Sequence, residues 1–139
     1  MEALRGAMHE SVLGRRPGQR ILLADDDADS LEGLRSLLEA WGYEVRTARD
    51  GRAALDQVPV VLPSVVITDV VMPRMSGLEL LEVLRHERPG IRVIVLTAHG
   101  TLEMRRRAVA QGAFAYLPKP VDTTRLKYVL GSALQGEES

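Results

Sequence analysis

Cysteine is absent from the 139-residue chain. Its absence excludes thiol catalysis, thiolate zinc sites and a disulfide framework, and it accords with a reducing cytoplasm. Long hydrophobic runs are missing as well. The longest are strand-sized, and none approaches the roughly 18 residues of a membrane span. The first 20 residues carry Glu2, Arg5, Glu10, Arg15 and Arg16 and no apolar block of the signal-peptide kind. A soluble, cytoplasmic protein without membrane association is the expectation. No charge of one sign dominates, since 18 Lys and Arg stand against 19 Asp and Glu for a net charge of -1. The domain as a whole offers no attraction for polyanions, and direct binding to nucleic acid is not expected. Lysine is rare: all but two of the 18 cations are Arg, the exceptions being Lys119 and Lys127. A compact amine at position 119 in so Arg-rich a chain hints that a point charge is wanted there. The Gly-x-Gly-x-x-Gly dinucleotide fingerprint and the Gly-Lys-Ser/Thr phosphate loop are both lacking. His9 and His86 have no second histidine nearby, which leaves neither a zinc site nor a phosphotransfer histidine.

What is present reads as one domain, long enough to bury a core without covalent or metal support. Apolar runs of strand length occur at 21–24, 43–48, 65–68, 93–96 and 114–117. Helical patterns lie between them. Leu31, Leu34, Leu37, Leu38 and Trp41 recur on one helix face, with Asp29 or Ser30 to open it and Gly42 to end it. A shorter helical stretch fits after Asp50 and Gly51. Ser76 and Glu79 form a capping box ahead of Leu78, Leu80, Leu81 and Leu84, and Pro89 and Gly90 close that helix. Thr101 opens the next, which ends near Gly112, and Asp122 opens the last through Leu126, Val129, Leu130 and Leu134. Five strands alternating with helices imply an α/β fold with a doubly wound parallel sheet, because a parallel pair needs a crossover and the crossover helix covers the face. Nearly all-apolar strands agree with burial on both sides.

Right-handed crossovers in such a sheet place ligands beyond the carboxyl ends of the strands. Asp25, Asp26 and Asp27 follow the first strand, Asp69 ends the third, Thr97 the fourth, and Lys119 follows the fifth. Carboxylates gathered at one edge repel unless a cation joins them, and an all-oxygen set with room for water and phosphate suits Mg²⁺. A carboxylate can also attack phosphorus to give an acyl phosphate, while a metal ion, an ammonium and a hydroxyl meet the charge spread over the equatorial oxygens. Asp69, Lys119 and Thr97 supply the carboxylate, the ammonium and the hydroxyl.

The segments ILLADDD, DVVMPRMSG, VIVLTAH and YLPKP stand in this order over roughly residues 19 to 135. Through them the chain resembles the receiver domain of two-component response regulators. The resemblance implies a five-stranded sheet in the order 2-1-3-4-5 with five helices on its two faces. It implies that Asp69 is the phosphoacceptor, taking a phosphoryl group from the phosphohistidine of a sensor histidine kinase or phosphotransfer protein. By the same resemblance Asp26 binds Mg²⁺ directly, Asp25 holds it mainly through water, Asp69 shares it, and the backbone carbonyl of Val71 is the remaining ligand. Thr97 bonds a phosphoryl oxygen, Lys119 pairs with it, Ala98 leaves the pocket open, and the Lys119–Pro120 peptide is cis. Tyr116 is implied to be the aromatic that turns inward as Thr97 shifts. The implied output surface is the face of the fourth helix, fifth strand and fifth helix, where Arg105, Tyr116 and Lys127 meet an unknown partner; a phosphorylation-dependent homodimer is left open. Such a domain is not an enzyme beyond its own phosphorylation and dephosphorylation.

Plainer readings stand beside these. Asp27 or Asp29 serves as a helix cap, Tyr116 alone reads as a half-buried strand aromatic, His99 as a loop residue at the pocket mouth, and part of the run Arg105 to Arg107 points to water. Haloacid-dehalogenase-like phosphatases share an Asp nucleophile, Mg²⁺, Thr and Lys, and Asp25 with Asp27 meets their Asp-x-Asp spacing. That reading wants a further acidic pair after the lysine, where only Asp122 is found, and it leaves the Asp69 motif unused. An unphosphorylated docking module is the other rival. Residues 1–18 are expected to be a mobile extension or a short helix, with Leu4, Met8 and Val12 at near-helical spacing, and 136–139 a tail. Only QGEES follows Leu134, so the expectation is a stand-alone receiver or a domain of a longer protein.

Overall fold

Ile21, Leu22, Leu23 and Ala24 are all essentially inaccessible to solvent, although successive side chains of a strand point to opposite faces. Their strand is therefore covered on both sides. In the computed structural model, which describes residues 19–135, ten elements alternate strictly. They are β1 (Arg20–Ala24), α1 (Ala28–Ala40), β2 (Glu44–Ala48), α2 (Gly51–Val61), β3 (Val65–Asp69), α3 (Gly77–Glu87), β4 (Arg92–Thr97), α4 (Leu102–Ala110), β5 (Ala115–Pro118) and α5 (Thr123–Gln135). The extension with Leu4, Met8 and Val12 and the tail after Gln135 lie outside the described residues.

The strands form one parallel sheet in the order β2-β1-β3-β4-β5, as the resemblance implied. Alternation divides the core into two layers. Leu22, Val66, Val93 and Val95 pack with Ala54 and Val58 of α2, Leu80, Leu81 and Leu84 of α3 and Ala108 of α4. Ile21, Leu23, Val65, Ile67, Ile94 and Leu96 pack with Leu31, Leu34 and Leu38 of α1 and Leu126, Leu130 and Leu134 of α5. The apolar runs of β1, β3 and β4 are buried on both faces, whereas the edge strands β2 and β5, expected to be buried alike, leave Arg46 and Pro118 exposed because each has a neighbour on one side only.

Helix starts follow local side-chain chemistry. Asp27, rather than Asp29 or Ser30, caps α1 by accepting from the Ser30 amide. Ser76 and Glu79 complete their capping box on α3, and Thr101 caps α4. Asp122 accepts from the amides of Thr124 and Arg125 at the start of α5. Helix α2, expected to be short, has 11 residues with Pro59 inside and stops at Leu62 in the left-handed region (φ 55°). Its apolar face is narrow in sequence because Ala54 and Val58 supply burial with little side chain. The Lys127 ammonium stands 5.6 Å from the centroid of the Trp41 ring. Lys127, exposed on α5, therefore stands over the ring that follows the end of α1.

Candidate functional site

Strand β1 lies between β2 and β3, so successive crossovers leave it in opposite directions and a crevice opens beyond its carboxyl end. Asp25 enters this crevice one residue after β1 and Asp69 as the last residue of β3. Asp25 is 1 % exposed, and its backbone amide donates to Ala48 at 3.1 Å. Its carboxylate accepts from the Asp27 amide (3.0 Å) and the Ser30 hydroxyl (2.9 Å). Ligand oxygens of Asp25, Asp26 and Asp69 all lie within 4.8 Å of one another. The Lys119 ammonium reaches into the same cluster, donating to Asp25 Oδ2 at 2.6 Å, Asp69 Oδ2 at 3.2 Å and Ser30 Oγ at 3.1 Å. Residues separated by up to 94 positions thus meet at one point. Ser30 is a member of the site that sequence reading treated only as a cap; the signal was its place one helical turn beyond the acids.

Burial pushes the Asp69 carboxyl above its usual range, and the nearby charge of Asp25 adds to the rise while Lys119 opposes it. Burial of Lys119 disfavours its charge, but the bonds it donates to Asp25 and Asp69, with the charges of those carboxylates, outweigh that and hold its pKa above the ordinary amine value. Three clustered carboxylates present an all-oxygen donor set of the kind that hard divalent cations take, and these residues fit one.

Lys119 is aimed from its backbone, whose amide donates to the Thr97 carbonyl at 2.9 Å, and the Lys119–Pro120 peptide is cis. Thr97 is 3 % exposed, and its hydroxyl accepts from the His99 amide at 3.2 Å. Ala98 and His99 follow on the exposed turn. The Asp69 carbonyl accepts from the Thr68 hydroxyl at 2.9 Å and packs so closely on Gly77 that a β-carbon there would overlap it. Beyond Asp69, the Val70 amide donates to Leu96 and the Val70 carbonyl accepts from Gly77 at 2.8 Å, which leaves Val71 exposed at the rim. A second brace was missed in the sequence. Asp50, 4 % exposed, caps α2 and also bonds the Arg74 guanidinium from the loop after β3. The bond of its carboxylate to the Ala53 amide, and then that to Arg74, hold its pKa below the usual carboxylate value.

Residues 21–130 match the family model of the response regulator receiver domain. The chain belongs to this family. Among its relatives, the transcriptional regulatory protein ZraR of Escherichia coli strain K12 is 39 % identical over 114 residues, 82 % of this chain and 26 % of ZraR. The response regulator MprA of Mycolicibacterium vanbaalenii is 44 % identical over 101 residues, 73 % of this chain and 44 % of MprA. A receiver domain from Clostridium thermocellum superposes with a TM-score of 0.82 at 35 % identity, covering 86 % of this chain and 97 % of that one. The receiver spans about a quarter to under half of the curated relatives it matches. As a receiver it is a phosphorelay module of two-component systems, and the phosphatase reading falls away. Asp27, which that reading needed in the site, instead spends its carboxylate on capping α1. Among the described residues no helix is long and apolar enough to cross a membrane.

Proposed function

We propose that the receiver accepts a phosphoryl group on Asp69 from the phosphohistidine of a sensor kinase or phosphotransfer protein. The observation that carries this reading is the meeting of Lys119 with Asp25 and Asp69 from three different strand ends. An Asp69 carboxylate oxygen attacks phosphorus, the O–P bond forms as the P–N bond breaks, and the electron pair leaves with the imidazole. Lys119 stands beside the oxygen that attacks and offers an ammonium to the charge on the phosphoryl oxygens. Thr97, buried at the end of the adjacent strand, offers its hydroxyl to the same oxygens. Ala98 leaves the approach open.

Asp25, Asp26, Asp69 and the Val71 carbonyl are the residues that would hold Mg²⁺, which supplies positive charge to the phosphoryl oxygens when bound. Asp25, locked by the Asp27 amide, Ser30 and Lys119, acts from a fixed position, whereas the exposed Asp26 is free to turn toward the ion. Tyr116, on β5 opposite Val95, carries the change to the α4–β5–α5 face. There a cavity of about 320 Å³ is lined by Arg105, Tyr116, Pro120, Val121, Asp122 and Arg125, suited to a partner protein. The domain modifies itself and turns over no other substrate. Phosphorylation by acetyl phosphate tests the assignment. Mass spectrometry is expected to find one phosphoryl group, lost in Asp69→Asn and dependent on Mg²⁺. Uptake that survives Asp69→Asn and disappears in Asp25→Asn would reject it.

A further inference from the structure

The turn after β2, residues 49–51, carries none of the clustered acids, yet it touches the loops on both sides of them. Strand β2 is an edge strand, and β1 lies between it and β3, so β3 is two strand spacings of about 4.8 Å away. On the near side, Arg49 Nη2 donates to the Asp26 carbonyl at 3.1 Å, one residue along each chain from the bond between the Asp25 amide and the Ala48 carbonyl. On the far side, the buried Asp50 carboxylate accepts from the Arg74 guanidinium. Gly51 lies so close to the loop after β3 that a β-carbon on it would overlap the Met75 carbonyl oxygen and stand 2.8 Å from Met75 Cβ. Arg74 holds a left-handed backbone (φ 67°), which a residue with a β-carbon keeps only where its surroundings impose it. The same loop is tied at its base, where the Gly77 amide donates to the Val70 carbonyl at 2.8 Å. Val71 stands between that tie and the grip on Arg74.

We propose that residues 49–51 form a clasp that sets the spacing between the loop of Asp26 and the loop of Val71, with Arg49, Asp50 and Arg74 as positioning residues for the metal site. The inference rests on the assignment of Mg²⁺ to Asp25, Asp26, Asp69 and the Val71 carbonyl. Arg49 fixes the backbone of Asp26 and leaves its exposed carboxylate free to turn, while Asp50 and Gly51 hold the loop of Val71 at the end opposite its base. Mg²⁺ accepts little deviation from octahedral ligand geometry, so loops that drift apart lose affinity even with every ligand present. Groups that orient metal ligands typically contribute roughly ten- to hundredfold in affinity. The two arginines separate this role from simple electrostatics. Each brings positive charge to the rim of an acidic cluster, and by charge alone its removal would strengthen cation binding. If each positions a loop, its removal weakens binding instead.

Calorimetric titration of the full chain with Mg²⁺ tests the clasp. Arg49→Met and Arg74→Met are each expected to raise the dissociation constant about tenfold, and adding Asp50→Asn to Arg74→Met is expected to raise it no further, because the two residues act through one bond. Arg52→Met removes an equal charge from the exposed surface of α2, where Arg52 pairs with Asp56. It is expected to leave the constant unchanged within about twofold, since exposed charge is screened. Unchanged or tighter binding in either Arg49→Met or Arg74→Met overturns the proposal. A second reading needs no variant and decides the matter where a methionine variant does not fold. Nuclear magnetic resonance of the Mg²⁺-free wild type with labelled arginine is expected to show restricted rotation of the Arg49 and Arg74 guanidinium groups. Free rotation of either overturns the proposal. If wild type itself takes up no Mg²⁺, the metal assignment fails and the clasp's role fails with it; if wild type binds Mg²⁺ and the arginine variants bind it as tightly, the clasp alone fails.

Discussion

Lys119 and Asp25 show how far a single contact governs this site. Asp25 is almost wholly buried, and the Lys119 ammonium stands 2.6 Å from its carboxylate. Removing one partner of a buried pair leaves the other uncompensated. Lys119→Met is therefore expected to lower stability at neutral pH by on the order of 2–4 kcal/mol, measured by urea unfolding. Asp69 has the opposite sign. Its carboxyl pKa is raised in the folded chain, so ionisation opposes folding above that value, and the opposition vanishes below the unfolded value of about 3.9. Asp69→Asn is expected to stabilise the Mg²⁺-free protein at neutral pH, the gain fading as the pH falls through the acid range. A gain that persists at pH 3 would show that charge is not its cause. The acid at this strand end is readable from sequence because VVITDVVMP places it where an apolar strand meets a turn. Ser30 was not, because its value lies in two contacts, one of them to a residue 89 positions away.

At the scale of elements, the caps were largely legible, since a cap bonds to an amide two or three residues along its own chain. The exception at α1 is instructive: three adjacent acids and a serine all suit a cap, and competition for the site decides among them. Asp25 and Ser30 bond each other and Lys119, which leaves Asp27 to cap. Asp27→Ala is accordingly expected to cost about 1 kcal/mol in thermal unfolding while phosphate uptake from acetyl phosphate persists. The brace between α2 and the loop after β3 depends on charge. Asp50 has a depressed pKa, so it contributes stability above the ordinary carboxylate range and loses it as the pH falls through its native value. Asp50→Asn is expected to be destabilising at pH 7, with its difference from wild type shrinking under acid, as circular dichroism unfolding at a series of pH values can determine. Gly77→Ala meets the Asp69 carbonyl and is expected to cost about 1–3 kcal/mol, as overpacking does.

For the whole molecule, the acidic edge is where folding and ligand binding oppose each other. Alternating strands and helices bring carboxylates to one rim with their mutual repulsion, and the two apolar layers beneath bear that cost. A cation that binds only the folded cluster adds stability in proportion to its occupancy. Mg²⁺ is expected to raise the melting temperature, reaching about 2.7 kcal/mol of stabilisation at 100 times its dissociation constant. Asp26→Asn is expected to remove most of this, and sodium at equal ionic strength not to reproduce it. An unchanged melting curve in wild type would argue against the metal assignment.

By itself the sequence determined the alternation of strands and helices, the burial of the sheet on both faces and the rim on which Asp25, Asp26, Asp69, Thr97 and Lys119 stand, because periodicity and chain direction are local properties. Only the tertiary structure decided which acid Lys119 lies closest to, that Ser30 joins the site, that Asp50 grips Arg74, that Lys127 turns to Trp41 and that Arg49 reaches the Asp26 carbonyl. These depend on distances of a few tenths of an ångström between residues far apart in the chain, and no spacing along a sequence records them.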